Sequence, residues 1–239
     1  WTNWPTMRTM TIYAIADLHL SDGDKPMDVF GPHWSGHFAR IRENWLERVR
    51  PEDVVLLPGD LSWAMFLADA LPHIRAVAEL PGRKILLKGN HDYWWSGIGK
   101  LRASLPDGMY AVQNDSVLLN GVLFAGSRGW LLPGDGTSLE DERIYERELQ
   151  RLALSLGDAR KRSESALLIG MAHYPPLSPG RIDAQPAHLF AAYGAKHVVY
   201  GHLHGPALAY AFRGEADGVT YHQVSCDGMG FRLHAVTEV

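Results

Sequence analysis

An α/β fold, one domain with mixed sheets, is what this chain of 239 residues predicts. Three observations predict it. Strand-like runs and helical periodicity alternate through the first half, the pattern of parallel strands joined by crossover helices. Residues 205–239 carry several β-like runs and no good helix, which predicts an antiparallel ending. No internal repeat, low-complexity tract or linker interrupts the chain, so 10–239 is read as a single domain and 1–9 as an N-terminal extension.

The strand-like runs are 11–16, 54–57, 84–87, 122–125, 166–172, 197–200, 219–224 and 231–236. Each is short, rich in Val, Ile, Leu or aromatics, and bounded by Gly, Pro or Asp. Phe38, Ile41, Trp45 and Val49 recur at helical spacing and stop before Pro51. Leu67, Leu71, Ile74, Val77 and Ala78 form a second helical face, with a break or restart expected at Pro72. The clearest helix is 139–156, with Tyr145, Leu149, Leu152 and Leu156 on one stripe. The loops 21–36 and 127–138 are longer than connection alone requires, and long loops at strand ends tend to build sites.

A 46% hydrophobic and 21% charged chain is an ordinary globular one. The 23 basic and 27 acidic residues leave a net charge of -4, which disfavours an extended nucleic-acid or membrane-binding surface and leaves a small nucleotide open. The lone cysteine, Cys226, excludes an intramolecular disulfide and fits a reducing, cytoplasmic setting. It ends a strand-like run, so it reads as a buried small hydrophobe rather than a nucleophile. No apolar stretch approaches the roughly 18 residues of a membrane span. Residues 1–8 have no apolar segment of the signal-peptide kind, and Met7 or Met10 is a candidate start.

Five polar clusters follow the apolar runs: Asp17-x-His19, Gly59-Asp60, Gly89-Asn90-His91-Asp92, His173 and Gly201-His202-Leu203-His204. In open α/β sheets the crevice beyond the carboxyl ends of the strands is where ligands bind. Mixed nitrogen and oxygen donors delivered there from several strands suit a two-metal hydrolytic site. Each fragment alone has a plainer reading. His19 could be a hydrogen-bonded surface histidine, Asp17 a turn cap, and Gly89-Asn90 a turn. His202 and His204 could share one face of a strand. All five together, each after a strand-like run, are not explained that way. His33 and His37 read either as pocket-lining or as loop-packing residues, not as ligands.

This order of motifs resembles that of the calcineurin-like metallophosphoesterases, whose pattern is Asp-x-His, Gly-Asp, Gly-Asn-His-Asp/Glu, a lone His, then Gly-His-x-His. The resemblance covers residues 17 to 204. Lys25-Pro26-Met27-Asp28, Ser62-Trp63-Ala64-Met65 and Tyr93-Trp94-Trp95 further resemble a bacterial branch described only as predicted phosphohydrolases. The resemblance implies a four-layer α-β-β-α sandwich of two mixed β-sheets. It implies that Asp17, His19, Asp60 and His204 hold one metal and that Asp60, Asn90, His173 and His202 hold a second. His91 would face the scissile phosphate, with Asp92 orienting its ring.

The implied activity is hydrolysis of a P–O bond by a metal-bridging hydroxide, with two divalent transition metals as cofactors. The histidine-rich donor set favours Mn, Fe, Co or Zn over Mg or Ca, and Mn is the expected ion among them. The expected substrate is a nucleotide-type phosphodiester, cyclic ones included. A phosphomonoesterase acting on a nucleotide or small metabolite is the alternative, and a scaffold without catalysis a third reading. Gly59-Asp60-Leu61-Ser62-Trp63 lacks the Gly-Asp-x-x-Asp-Arg-Gly of the serine/threonine protein phosphatases, which disfavours that activity. Arg128 is a candidate phosphate contact or a solvated arginine. Trp34, Trp95 and Trp130 are candidates for stacking on a nucleobase or for burial under their loops.

Overall fold

Alternation along the strands sorts the apolar residues into three separate cores. The computed structural model describes residues 9–23, 26–134 and 136–239; most of the N-terminal extension read at 1–9, and Lys25, lie outside them. From β1 (Thr11–Ala14) and β2 (Val54–Pro58), Ile12, Ala14, Val54 and Leu56 face one core while Tyr13, Val55 and Leu57 face another. Successive side chains of a strand point to opposite faces, so each strand serves two cores at once.

The first sheet has the order β11-β1-β2-β3-β4, adding β3 (Arg83–Leu87), β4 (Met109–Ala111) and β11 (His234–Glu238). The second has the order β5-β6-β7-β8-β10-β9. Its strands are β5 (Ser116–Leu119), β6 (Val122–Ser127), β7 (Leu167–Ala172), β8 (His197–Tyr200), β9 (Gly214–Ala216) and β10 (Val219–Gln223). Ile12, Leu56, Phe124, Ile169 and Val199 fill the space between the sheets. Helices α1 (His37–Arg48), α2 (Leu67–Ala78) and α3 (Ile98–Ser104) cover the first sheet through Ile41, Trp45, Ile74 and Leu101. Helices α4 (Leu139–Arg162) and α5 (Gln185–Ala192) cover the second through Leu152, Leu156 and Phe190. The result is the four-layer sandwich that the motifs imply.

Within this frame β1 to β4 are parallel, as are β6, β7, β8 and β10. The predicted antiparallel ending is therefore mixed. β9 and β11 pair antiparallel with β10 and β1, but β10 lies parallel to β8. The last strand also starts later than the 231–236 run, because Phe231 sits in the left-handed region at φ 61° and cannot continue a strand.

Two helices correct the sequence reading. Pro72 lies inside α2 without breaking it. Proline removes one amide donor, while Leu67, Ala70, His73, Ile74 and Val77 remain buried along the helix and hold it. The helix read as 139–156 runs on to Arg162. Ala159 extends its buried stripe, and Arg160 bonds the carbonyls of Tyr193 (2.7 Å), Ala166 (3.0 Å) and Gly194 (3.1 Å). Its start is capped by Ser138, whose Oγ accepts the Asp141 amide at 3.1 Å. Among the described residues no helix is long and apolar enough to cross a membrane.

Candidate metal centre

Five parallel strands, β1, β2 and β3 of one sheet and β7 and β8 of the other, end on one rim, and each is followed by a predicted cluster. The loops there are tied together through the backbone. Asp17 N donates to Gly59 O (3.0 Å), His19 N to Asp60 O (3.0 Å), and Gly201 N to His173 O (3.1 Å). His202 N donates to Asp17 Oδ2 at 3.0 Å, joining the two sheets. Asp17, His19, Asp60 and His202 all have positive φ, between 45° and 71°. Such conformations cost about 1–3 kcal/mol each outside glycine and persist where the surroundings enforce them, typically at functional sites.

Close approach explains two of the motif glycines. A Cβ on Gly89 would overlap the Asp60 carboxylate, and one on Gly201 would overlap that of Asp17. The rim can bring carboxylates this near to the neighbouring backbone only where no side chain intervenes.

The side chains converge. Asp60 Oδ2 lies 3.4 Å from His173 Nε2 and 3.8 Å from His19 Nε2. Asn90 Oδ1 lies 2.7 Å from His173 Nε2 and 3.0 Å from His202 Nδ1. Asp17 Oδ1 lies 3.4 Å from His204 Nε2. Two groups each offer donor atoms within 4.8 Å of one another: Asp17, His19 and His204, and Asp17, Asp60 and His173. All seven predicted ligand positions thus meet on the rim.

Electrostatics follow from two buried carboxylates. Burial opposes ionisation of Asp17 and Asp60, but His204 and His173 beside them prevail and hold both below the usual carboxylate range. Burial also disfavours the imidazolium of His173 and His204, yet the carboxylates raise them to about 9 and about 10. His19 and His202, ruled by burial, fall to about 4. The negative charge that retains those protons also favours a divalent cation. Buried His19 Nδ1 has no hydrogen-bond partner among the described residues. A set of nitrogen and oxygen donors with no thiolate fits Mn, Fe, Co or Zn.

Two imidazoles are aimed from behind. His173 donates Nδ1–H to Pro58 O at 3.0 Å, which turns Nε2 toward Asp60 and Asn90. His204 does the same through Asp227, whose Oδ1 lies 2.9 Å from Nδ1. Sequence reasoning missed Asp227. Its one signal is an acid following the β10 run, as the motif acids follow theirs. Cys226 beside it is fully buried, and its Sγ donates to Asp17 O at 3.0 Å.

Asp92 requires a correction: it does not orient the His91 ring. Its buried carboxylate accepts the amides of Gly89 (2.7 Å), Asp60 (2.8 Å), Leu61 (2.9 Å) and Ser62 (3.3 Å), and the Trp94 indole (2.9 Å). It organises the loop that carries Asp60, while burial and the Asp60 charge push it up to about 6. His91 packs instead against Trp63, ring centroids 4.4 Å apart, and its buried Nδ1 is unpartnered among the described residues.

A cavity of about 340 Å³ opens over the rim, lined by His19, Asp60, His91, His202 and His204, with Trp34 and Trp63 as aromatic walls. Trp63 stacks on His19 at 4.7 Å. His33 lines the cavity too, whereas both ring nitrogens of His37 face backbone carbonyls, of Leu18 (2.8 Å) and Trp34 (3.2 Å). The other candidate contacts lie elsewhere. Trp95 is buried with its indole bonded to Gln113 Oε1 (2.7 Å), and Trp130 donates to Asp141 Oδ1 (3.0 Å) beneath the Arg128 guanidinium.

A second polar array escaped the sequence reading. Ser62 Oγ lies 2.7 Å from His73 Nδ1, and His73 Nε2 lies 3.0 Å from Asp22 Oδ1. Ser62 is fully buried, so the array clamps the Asp60 loop to α2 rather than offering a nucleophile.

The calcineurin-like phosphoesterase family is where this chain belongs: the family model matches residues 10–206, which take in every motif from Asp17 to His204. Gene 66 protein of Mycobacterium phage D29 is 35% identical over 83 residues, which is 34% of this chain and 40% of that protein. The chain thus spans about two fifths of the length of the curated relative it matches. Among solved structures, a protein of unknown function from Aquifex aeolicus is similar over 94% of both chains, at 17% identity and a TM-score of 0.50, a likeness of fold. A phosphopantetheinyl hydrolase from Mycobacterium tuberculosis aligns over 91% of this chain and 89% of its own, at 16% identity and a TM-score of 0.49.

Proposed function

We propose that this chain is a metal-dependent phosphoesterase, and that its preferred substrates are nucleotide-type phosphodiesters. The observation that carries the first part is the position of Asp60, whose Oδ2 lies between His173 and His19 at 3.4 and 3.8 Å. A carboxylate so placed suits a shared ligand, with Asp17, His19 and His204 on one side and Asn90, His173 and His202 on the other. The mixed nitrogen and oxygen donors suit Mn, Fe, Co or Zn, and manganese is the ion proposed. When bound, such a pair supplies Lewis-acid stabilisation of phosphoryl charge and acidifies water toward neutral pH.

The chain's own residues do the rest. Asp227 and the Pro58 carbonyl fix the rings of His204 and His173. His91, with Nδ1 buried, has Nε2 left to deliver a proton to the leaving oxygen, a step worth typically ~10²–10⁴-fold. Partly exposed Trp63 gives the cavity an apolar wall, with buried Trp34 also in its lining, which supports a base-bearing substrate over a small inorganic ester. The lone buried Cys226 suits a cytoplasmic setting.

The test is turnover of matched mono- and diester panels after metal removal and with each divalent metal restored. Diesters are expected to lead, with manganese the best activator. Simple monoesters clearly outrunning every diester would overturn the substrate part; inactivity with all metals and substrates would overturn the whole. Asp60→Asn serves as control, with loss of both metals expected by elemental analysis.

A further inference from the structure

Beside the metal rim lies a second pocket of about 180 Å³, built where the ends of β3 and β6 face α4. Its charged lining is Lys88, Arg128, Arg151 and Glu148. Three cations against one carboxylate leave two positive charges unbalanced. Glu148 is buried and committed to Arg151 at 2.7 Å, with a long contact of 3.4 Å to Arg128. Arg128 Nε is buried without a hydrogen-bond partner among the described residues, and so is Oγ of Ser96, another lining residue. Lys88 has no ion-pair partner among the described residues. A purely structural network would pair its cations; buried donors left unmet call for a missing acceptor.

The pocket's position ties it to the reacting centre. Lys88 directly precedes Gly89 and Asn90, and the Arg128 carbonyl accepts the amide of His173 at 3.1 Å. It lies at the carboxyl ends of parallel strands, where α/β sheets bind ligands. A small pocket with so cationic a lining suits an acidic group.

We infer that Lys88, Arg128 and Arg151 form an oxyanion pocket that takes a phosphoryl or carboxylate group distinct from the scissile phosphate. Arginine supplies the planar fork that such groups match, and Lys88 a mobile point charge. The group's source is the far end of a polyanionic substrate; that part rests on the phosphoesterase reading. Free phosphate carries the same chemistry, and the experiment separates the two.

Inorganic phosphate and pyrophosphate are titrated by calorimetry into the chelator-treated wild-type chain and into Lys88→Gln and Arg151→Gln. Metal-free protein is used so that binding is read without turnover. Each variant is expected to weaken anion binding at least tenfold, while its melting temperature reports whether it folds. A variant that unfolds leaves the other to decide. In the metal-loaded protein, kcat/KM is compared for ester pairs that differ only in a second phosphate. A tenfold fall in that preference in both variants assigns the pocket to substrate; weakened anion binding with the preference intact assigns it to free phosphate. Anion binding equal in wild type and in folded variants, or absent from wild type, would falsify the pocket. Anion binding without any ester hydrolysis would sink the phosphoesterase reading and leave the pocket standing.

Discussion

His204 and Asp227 are joined by a 2.9 Å hydrogen bond from Nδ1 to Oδ1, and the second oxygen of Asp227 accepts the Gly205 amide at 3.0 Å. One carboxylate therefore fixes both the ring and the backbone beside it, leaving Nε2 facing Asp17 at 3.4 Å. Outer partners of this kind are worth about 10–100-fold in metal affinity. Asp227→Ala is expected to weaken binding at the Asp17–His19–His204 group by that factor, measured by competition with a coloured chelator. Unchanged affinity at both sites would make the pair a structural contact only.

Asp92 gives a prediction of another kind. Its buried carboxylate accepts four backbone amides and one indole. Asp92→Asn puts an amide donor where only donors point, and leaves buried N–H groups unmet. Disrupting a buried charged network costs about 3 kcal/mol, which for a chain of this size is about 6–12 °C in Tm. Thermal denaturation checks it. An asparagine variant that melts normally but loses activity would return Asp92 to the role of orienting His91.

Asp92 marks where the sequence stops being legible. The five clusters were readable because each follows a strand whose apolar run marks its end, and parallel strands bring their ends to one rim. Adjacency along the chain misled for His91 and Asp92, since consecutive side chains diverge; Asp92 turns inward to the 59–62 loop, His91 toward Trp63. Asp227 was hidden for the opposite reason, meeting His204 from 23 residues away and outside the matched 10–206 span. β4 and β9, at three residues each, are too short to show any periodicity. At Pro72 the packing of α2 overrides the local rule that proline breaks a helix.

His91 separates proton transfer from metal binding. Its backbone amide donates to Asp60 Oδ1 at 2.8 Å, while its ring lines the cavity and neighbours Trp63 and His19. His91→Ala keeps the amide and removes the ring. Metal content is expected to stay at the wild-type level. Turnover should fall ~10²–10⁴-fold on alkyl esters, whose leaving oxygens need a proton, and much less on nitrophenyl esters. An equal loss on both classes would show that the ring does not act as the acid, and loss of metal would make it a ligand.

Part of the acid sensitivity should arise away from the rim, where three imidazoles bridge the sheets. His197 Nδ1 lies 3.2 Å from His222 Nε2, and His222 Nδ1 lies 2.9 Å from His234 Nε2. Burial, then His234 and His197, pull the central His222 down to about 4, and Arg48 adds to the positive field at His234. The unfolded value is about 6.5, so the unfolded chain takes up the proton first as pH falls. Stability is full above pH 6.5, declines between 6.5 and 4, and levels off below. Since His222 is only partly buried, the ideal contribution of ~2 kcal/mol at pH 5 is halved to about 1 kcal/mol for solvent screening. His222→Gln, which cannot titrate, should therefore lose about 1 kcal/mol less than wild type between pH 7 and pH 5 by urea denaturation. Parallel losses in the two proteins would show that the imidazole bridge does not sense acid.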